Sequence, residues 1–190
     1  MGDAKDRFRD LTCDVMPSKS QWRALLDTNE VNYLVLSVLE QSNAEQILKS
    51  VAGYFPNTRF EVFGMPTWKG ADILDGHDIL PNVGITFTAP FHFDLTTPAA
   101  SSLAKRYSST FAGQPAEQVF RGYEVLRWSV YLLEKYGTVF NPKMQDSGAA
   151  EFTNFDVKLR KTTSGEILYA ENQHLYVLHY LNGSYTLFEQ

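Results

Sequence analysis

Residues 31–39 read VNYLVLSVL, a nearly unbroken apolar run, and a helix pattern follows at once. A strand that is apolar throughout, rather than alternating, implies cover on both faces, which is the situation of a parallel sheet. A parallel sheet in turn needs crossover helices, so this one run restricts the chain to an α/β layered architecture. The following segment supplies the crossover. Ser42 and Glu45 have capping-box spacing, and Ile47, Leu48, Val51 and Phe55 form the inward face until Pro56-Asn57 ends the helix. TRFEVFGM is the next expected strand, ADILDGHDIL a short helix or turn stopped by Pro81, and VGITFTAPF a further strand. Upstream, DAKDRFRDL suggests a short helix with Phe8 and Leu11 inward. TCDVMP is extended, and SQWRALLD is a helix with Trp22, Leu25 and Leu26 on one face.

Residues 95–137 change character. Thr97-Pro98 predicts a helix start, with a hydroxyl cap and proline in the first turn. Leu103, Tyr107 and Phe111 then recur every four residues, and Gly113 closes the helix. Pro115 opens a longer helix with an apolar stripe at Val119, Tyr123, Leu126, Val130 and Leu133, and Gly137 is placed to end it. Gly122 lies inside this helix at a cost of roughly 1 kcal/mol against alanine, which suggests a close backbone approach. After the loop NPKMQDSGA, the segment FTNFDVKL alternates. HLYVLHYLNGSYTLFEQ predicts a hairpin turning at Asn182-Gly183.

The totals narrow the function. With 190 residues, 44% hydrophobic and 14% aromatic, the chain has material for a packed core. The net charge is −5 and no basic stripe appears, so nucleic acid is not an expected partner. The single cysteine, Cys13, rules out an internal disulfide and a cysteine-based zinc site, and reads as an ordinary thiol. No apolar run reaches the length of a membrane span, and the charged start MGDAKDRFRD lacks the apolar core of a signal peptide.

The order of the pieces NYLVLSVLEQSNAEQILKSV, TRFEVFGMPTW, GITFTAPFHFD, LAKRYSSTF and FRGYEVLRWSVYLLEKYG resembles the C-terminal half of the type I periplasmic binding proteins. This is the leucine/isoleucine/valine-receptor family of ABC transporters. The triplet Gly122-Tyr123-Glu124 stands where that family opens a helix on a GYD-like sequence, and a closing segment rich in Tyr and Asn follows. The resemblance implies a three-layer doubly wound, mostly parallel sheet, here with an added helical pair and a C-terminal β-hairpin. It divides the chain into an α/β lobe over 1–94, a helical segment over 95–150 resembling part of the other lobe, and a β segment over 151–190 returning to the sheet. It also implies that one lobe and the first, central strand of the second are absent. The chain would then be a fragment or diverged remnant, with the gap filled by the hairpin, a second copy or a re-ordered sheet.

Ligands of open α/β sheets bind beyond the carboxyl ends of the strands. That rule and the resemblance together select two loops: Glu40, Gln41, Ser42 and Asn43, and Pro66, Thr67 and Trp68. Ser42 reads as the helix cap in preference to an anion site. Trp68 either stacks on a ligand ring or covers the apolar sheet edge, whereas Trp22 and Trp128 are packing residues. His77 with Asp75 and Asp78 reads as turn chemistry. His92 and Asp94 suit a hinge between lobes. His174 and His179, five apart in a strand, do not share a metal, and Glu124 with Arg127 reads as a solvated ion pair. No catalytic residue, metal or cofactor is expected. The implied function is a non-enzymatic module for a small polar solute (amino acid, peptide or sugar-like) of an ABC importer in the periplasm or cell envelope, with weakened binding. The alternative is an interaction module that dimerises, or binds a partner, through an open sheet edge. An α/β enzyme ranks third.

Overall fold

The computed structural model describes residues 9–12, 16–69, 74, 80–148 and 150–188. Cys13, His77 and its neighbouring aspartates, and most of the expected first helix lie outside them. The chain forms two compact units, residues 1–88 with 177–190, and residues 89–176.

The first unit is a mixed α/β layer. A five-stranded sheet runs in the order β1 (Asn32–Val35), β2 (Phe60–Phe63), β3 (Val83–Ala89), β6 (Tyr176–Leu181), β7 (Ser184–Phe188). β1 pairs with β2 in parallel from Asn32↔Phe60, and β2 with β3 from Phe60↔Val83. β1 and β2 thus lie side by side with no position left between them, and the hairpin β6–β7 adds to the sheet beyond β3. Asn182 and Gly183 both take positive φ, 52° and 82°, as the tight hairpin turn requires.

α1 (Lys19–Leu25) and α2 (Gln41–Tyr54) flank the sheet strands in sequence. Ser18 caps α1 in a reciprocal box with Gln21, and Trp22 is its buried residue. α2 turns Ala44, Leu48, Val51 and Ala52 inward, and Phe60, Val62, Val83 and Ile85 of the strands are buried with them. Cover on both faces does not hold for β1. Its burial alternates, and Tyr33 and Val35 are 71% and 73% exposed. Register places Tyr33 opposite Glu61 and Val35 opposite Phe63, so all four side chains stand on the open face.

The second unit holds α3 (Pro98–Phe111), α4 (Glu117–Tyr136) and the antiparallel pair β4 (Val157–Lys161) and β5 (Ile167–Asn172). Thr97 caps α3 and Pro98 opens it, but Ala112, at φ 53°, rather than Gly113 makes the left-handed exit. α4 begins at Glu117, two residues after Pro115, and ends at Gly137 with φ 74°. Its buried residues are Phe120, Glu124, Trp128 and Leu132. Of the stripe that sequence periodicity turned inward, Leu126, Val130 and Leu133 are exposed, while Val119 and Tyr123 are half-buried. Two apolar faces were available on this helix, and the one carrying Trp128, whose Nε1 donates to Asp146 O at 2.7 Å, is the one buried. Strand β5 was not anticipated, because ILYAEN follows a Ser-Gly turn without a clear alternation.

Asp146 ties the end of α4 to the following loop. Its carboxylate accepts from Tyr136 Oη (2.6 Å), Lys135 Nζ (2.8 Å), Tyr131 Oη (3.1 Å) and Gly148 N (3.0 Å).

Two glycines predict opposite outcomes. A β-carbon at Gly64 would stand 2.3 Å from the Trp68 ring, whereas one at Gly122 would meet nothing within 4 Å. Gly64→Ala is expected to lower stability by about 1–3 kcal/mol through overpacking, and Gly122→Ala to raise it by roughly 0.5–1 kcal/mol through helix propensity, both read by denaturant unfolding. Lys135, then Tyr136, holds the Asp146 carboxyl well below its ordinary range. A depressed carboxyl stabilises the fold above its ordinary value and loses that contribution as pH falls toward the folded value. Asp146→Asn should therefore flatten the acid limb of a melting-temperature profile, with the smallest change near neutrality in slope rather than in level.

Candidate functional site

β1 and β2 run parallel and deliver two loops to the same end of the sheet. The backbone pairing continues past both strands, with Leu36 N donating to Phe63 O at 2.9 Å and Gly64 N to Thr86 O at 2.9 Å. The chain after Gly64 then turns through a 3-10 segment, Pro66–Trp68, which proline opens and which folds Trp68 back over Gly64.

Trp68 is 1% exposed. Its Nε1–H donates to Val38 O at 2.7 Å, so the indole pins the second loop to the first. Thr67 Oγ1 donates to Leu39 O at 2.9 Å, and Gln41 Nε2 donates back to Thr67 O at 2.5 Å. A ring-stacking role on a ligand is therefore excluded for Trp68, which is a packing residue with a satisfied polar edge. Around this lock lies a shallow open depression lined by Leu39, Glu40, Gln41, Ser42 and Thr67. Pro66 and Asn43 are exposed beside it but do not line it.

The capping-box expectation fails here. α2 begins at Gln41, and Glu40 is the N-cap with no side-chain bond to the helix. Ser42 lies one residue inside, where its hydroxyl does not cap. The sequence reading shifted the start because EQSNAE offers a serine–glutamate spacing, yet Gln41 is held by its bond to Thr67 O and draws the helix back. The depression therefore takes in the start of a 14-residue helix whose N-cap, Glu40, makes no side-chain bond to the first turn.

The other singled-out residues separate. On the open face, Glu61 Oε2 and His179 Nε2 lie 3.2 Å apart, and Arg59 donates to Glu61 Oε1 at 2.9 Å. A β-carbon at Gly84 would stand 2.4 Å from Glu61 Oε2 and 2.8 Å from His179 Nε2, so the pair meets over a strand position left bare for it. Nothing local signalled this pair, since its members are 118 residues apart. In the second unit, the rings of His92 and His174 both contact Tyr176. Asp94 accepts from Thr96 N (2.8 Å) and Thr96 Oγ1 (2.6 Å), which lower its pKa, and this is turn chemistry at the entry to α3.

Glu124 is not a solvated partner of Arg127. It is 1% exposed, and its carboxylate accepts from the backbone N–H of Glu151 (2.7 Å), Phe152 (3.2 Å) and Thr153 (3.4 Å). Arg127 pairs instead with Glu151. A helix carboxylate thus gathers a loop by doing for it what an anion does in a backbone nest. Among the described residues no group of three or more His, Cys, Asp or Glu could hold a metal ion, and no helix is long and apolar enough to cross a membrane. No family model, curated protein or solved structure matches the chain.

Burial pushes the Glu124 carboxyl above its ordinary value of 4.5, against the backbone N–H donors that favour the anion. The native state then holds the proton more tightly than the unfolded chain, so this group's contribution falls as pH rises from the ordinary to the raised value. Glu124→Gln should remove that slope from the pH profile of unfolding free energy. Glu124→Ala, which strands three N–H groups, should lower stability by about 2–4 kcal/mol in denaturant titration.

Proposed function

We propose that the chain is a non-enzymatic binding module for a small polar solute, of the kind found in the C-terminal half of type I periplasmic binding proteins. The observation that carries this reading is the depression at the carboxyl ends of β1 and β2, whose two loops are joined by the Trp68–Val38 bond. Its lining mixes the Glu40 carboxylate with the Ser42 hydroxyl and the uncapped start of α2. Such a set suits a solute that carries a donor and an acceptor a few ångströms apart, an amino acid or a short peptide foremost. The depression is one wall. A second wall, and a layer over the open sheet face to complete a three-layer lobe, would come from another module, as in two-lobed receptors of an importer at the cell envelope. One wall alone leaves the solute hydrated, so binding by this chain is weak.

A second reading has its own support. In β1 the N–H groups of Asn32 and Leu36 bond β2, so those of Tyr33 and Val35 point to the free edge. That edge, beside exposed Tyr33, Val35 and Phe63, can accept a strand of a partner.

Titration with amino acids, sugars and short peptides, followed by amide chemical shifts, tests the first reading. Saturable shifts at residues 39–43 and 67, lost in Glu40→Ala and weakened in Ser42→Ala, are expected. A flat response to the whole panel would sink solute binding by this chain.

A further inference from the structure

The second apolar stripe of α4 has a spacing that an ordinary solvated helix face does not need. Val119, Tyr123, Leu126, Val130 and Leu133 follow one another at steps of four, three, four and three. That is the heptad period of a helix that packs along another helix, narrower than the stripe of a helix on a sheet. The opposite face is already occupied, since Phe120, Glu124, Trp128 and Leu132 are buried. Val119 and Tyr123 are half-buried, the Tyr123 ring against Phe152, but Leu126, Val130 and Leu133 stay 66%, 44% and 46% exposed, so the C-terminal half of the stripe is a seam that its own unit does not cover.

The residues flanking the seam choose the occupant. Arg127 and Glu134 follow Leu126 and Leu133 directly, on the same edge of the stripe and one heptad apart. Reversing the helix about Val130 brings Leu126 within one residue of Leu133 and Arg127 within one residue of Glu134. Apolar positions and opposite charges therefore match themselves under a two-fold axis at Val130. A parallel pairing gives no such match, because the other edge of the seam carries Gly122 and Ser129, which are small and uncharged. Gly122 has open space where its β-carbon would be, so no contact within the chain requires a glycine in this helix. Against a second helix it permits close approach. The Arg127 side chain, though paired with Glu151, remains 45% exposed and within reach of a partner.

We propose that α4 is a self-association surface, and that two copies of the chain pair α4 against α4 in antiparallel fashion about Val130. The surface is independent of the solute depression and of the β1 edge. The charges steer register and orientation, and the three leucine and valine side chains supply the buried area.

Sedimentation equilibrium on the whole chain, from micromolar to near-millimolar concentration, tests this. A reversible dimer is expected. Leu126→Glu with Leu133→Glu should abolish it while leaving far-ultraviolet circular dichroism and the melting curve of the monomer intact. Glu134→Arg alone should weaken the dimer about tenfold, through like charges meeting twice. Arg127→Glu should do the same, and a mixture of the two single variants should form a mixed dimer, since all flanking contacts become attractive across that pair. A monomer at every concentration overturns the proposal. So does a dimer that survives the double leucine change but breaks with Val35→Pro, which would assign association to the β1 edge. Failure of the two charge variants to pair with each other would overturn the antiparallel register.

Discussion

One buried indole organises the end of the first unit where β1 and β2 deliver their loops. Trp68 is fixed from below by the absence of a side chain at Gly64 and from the side by its hydrogen bond to the Val38 carbonyl. That carbonyl belongs to a segment that has left β1 and not yet entered α2, where backbone groups have no regular partner. The bond satisfies it, and the threonine and glutamine bonds on either side close the gap between the two loops. The uncapped start of α2, the position of Glu40 and the depression all follow from that closure.

The strand–helix–strand order, the parallel pairing and the Asn-Gly hairpin were legible because each depends on local chemistry or on short-range periodicity. The ends of elements were less so. Gln41 starts α2 through a bond to a residue 26 positions away, and a serine spacing cannot compete with that. The α4 stripe shows the limit of periodicity. A helix can carry two apolar faces, and which one goes inward is decided by what stands opposite. Here the inward face carries a carboxylate, which a pattern reading would always assign to solvent.

Glu124 makes sense only with its loop. The backbone from Glu151 to Thr153 aims successive N–H groups at one point, and a charged acceptor is what converges them. Around it the rings of Phe93, Phe120, Tyr123 and Phe152 form the apolar packing of the second unit. The aromatic residues supply area, while the carboxylate supplies the direction in which the loop leaves the helix. Read as a solvated ion pair with Arg127 from the sequence, Glu124 is instead buried and serves the fold.

The order of strands has a kinetic consequence. β3 and β6 are neighbours in one sheet, yet residues 90–175, nearly the whole second unit, separate them along the chain. During synthesis β1, β2 and β3 emerge together and can pair early through short crossovers. Position 84 then stands bare, with Glu61 beside it, until His179 arrives 118 residues after that glutamate. Closing so long a loop is slow relative to forming the local βαβ pairs. The first unit is therefore assembled in two stages, and between them β3 is an open edge, the point at which a nascent chain is most exposed to pairing with the wrong strand.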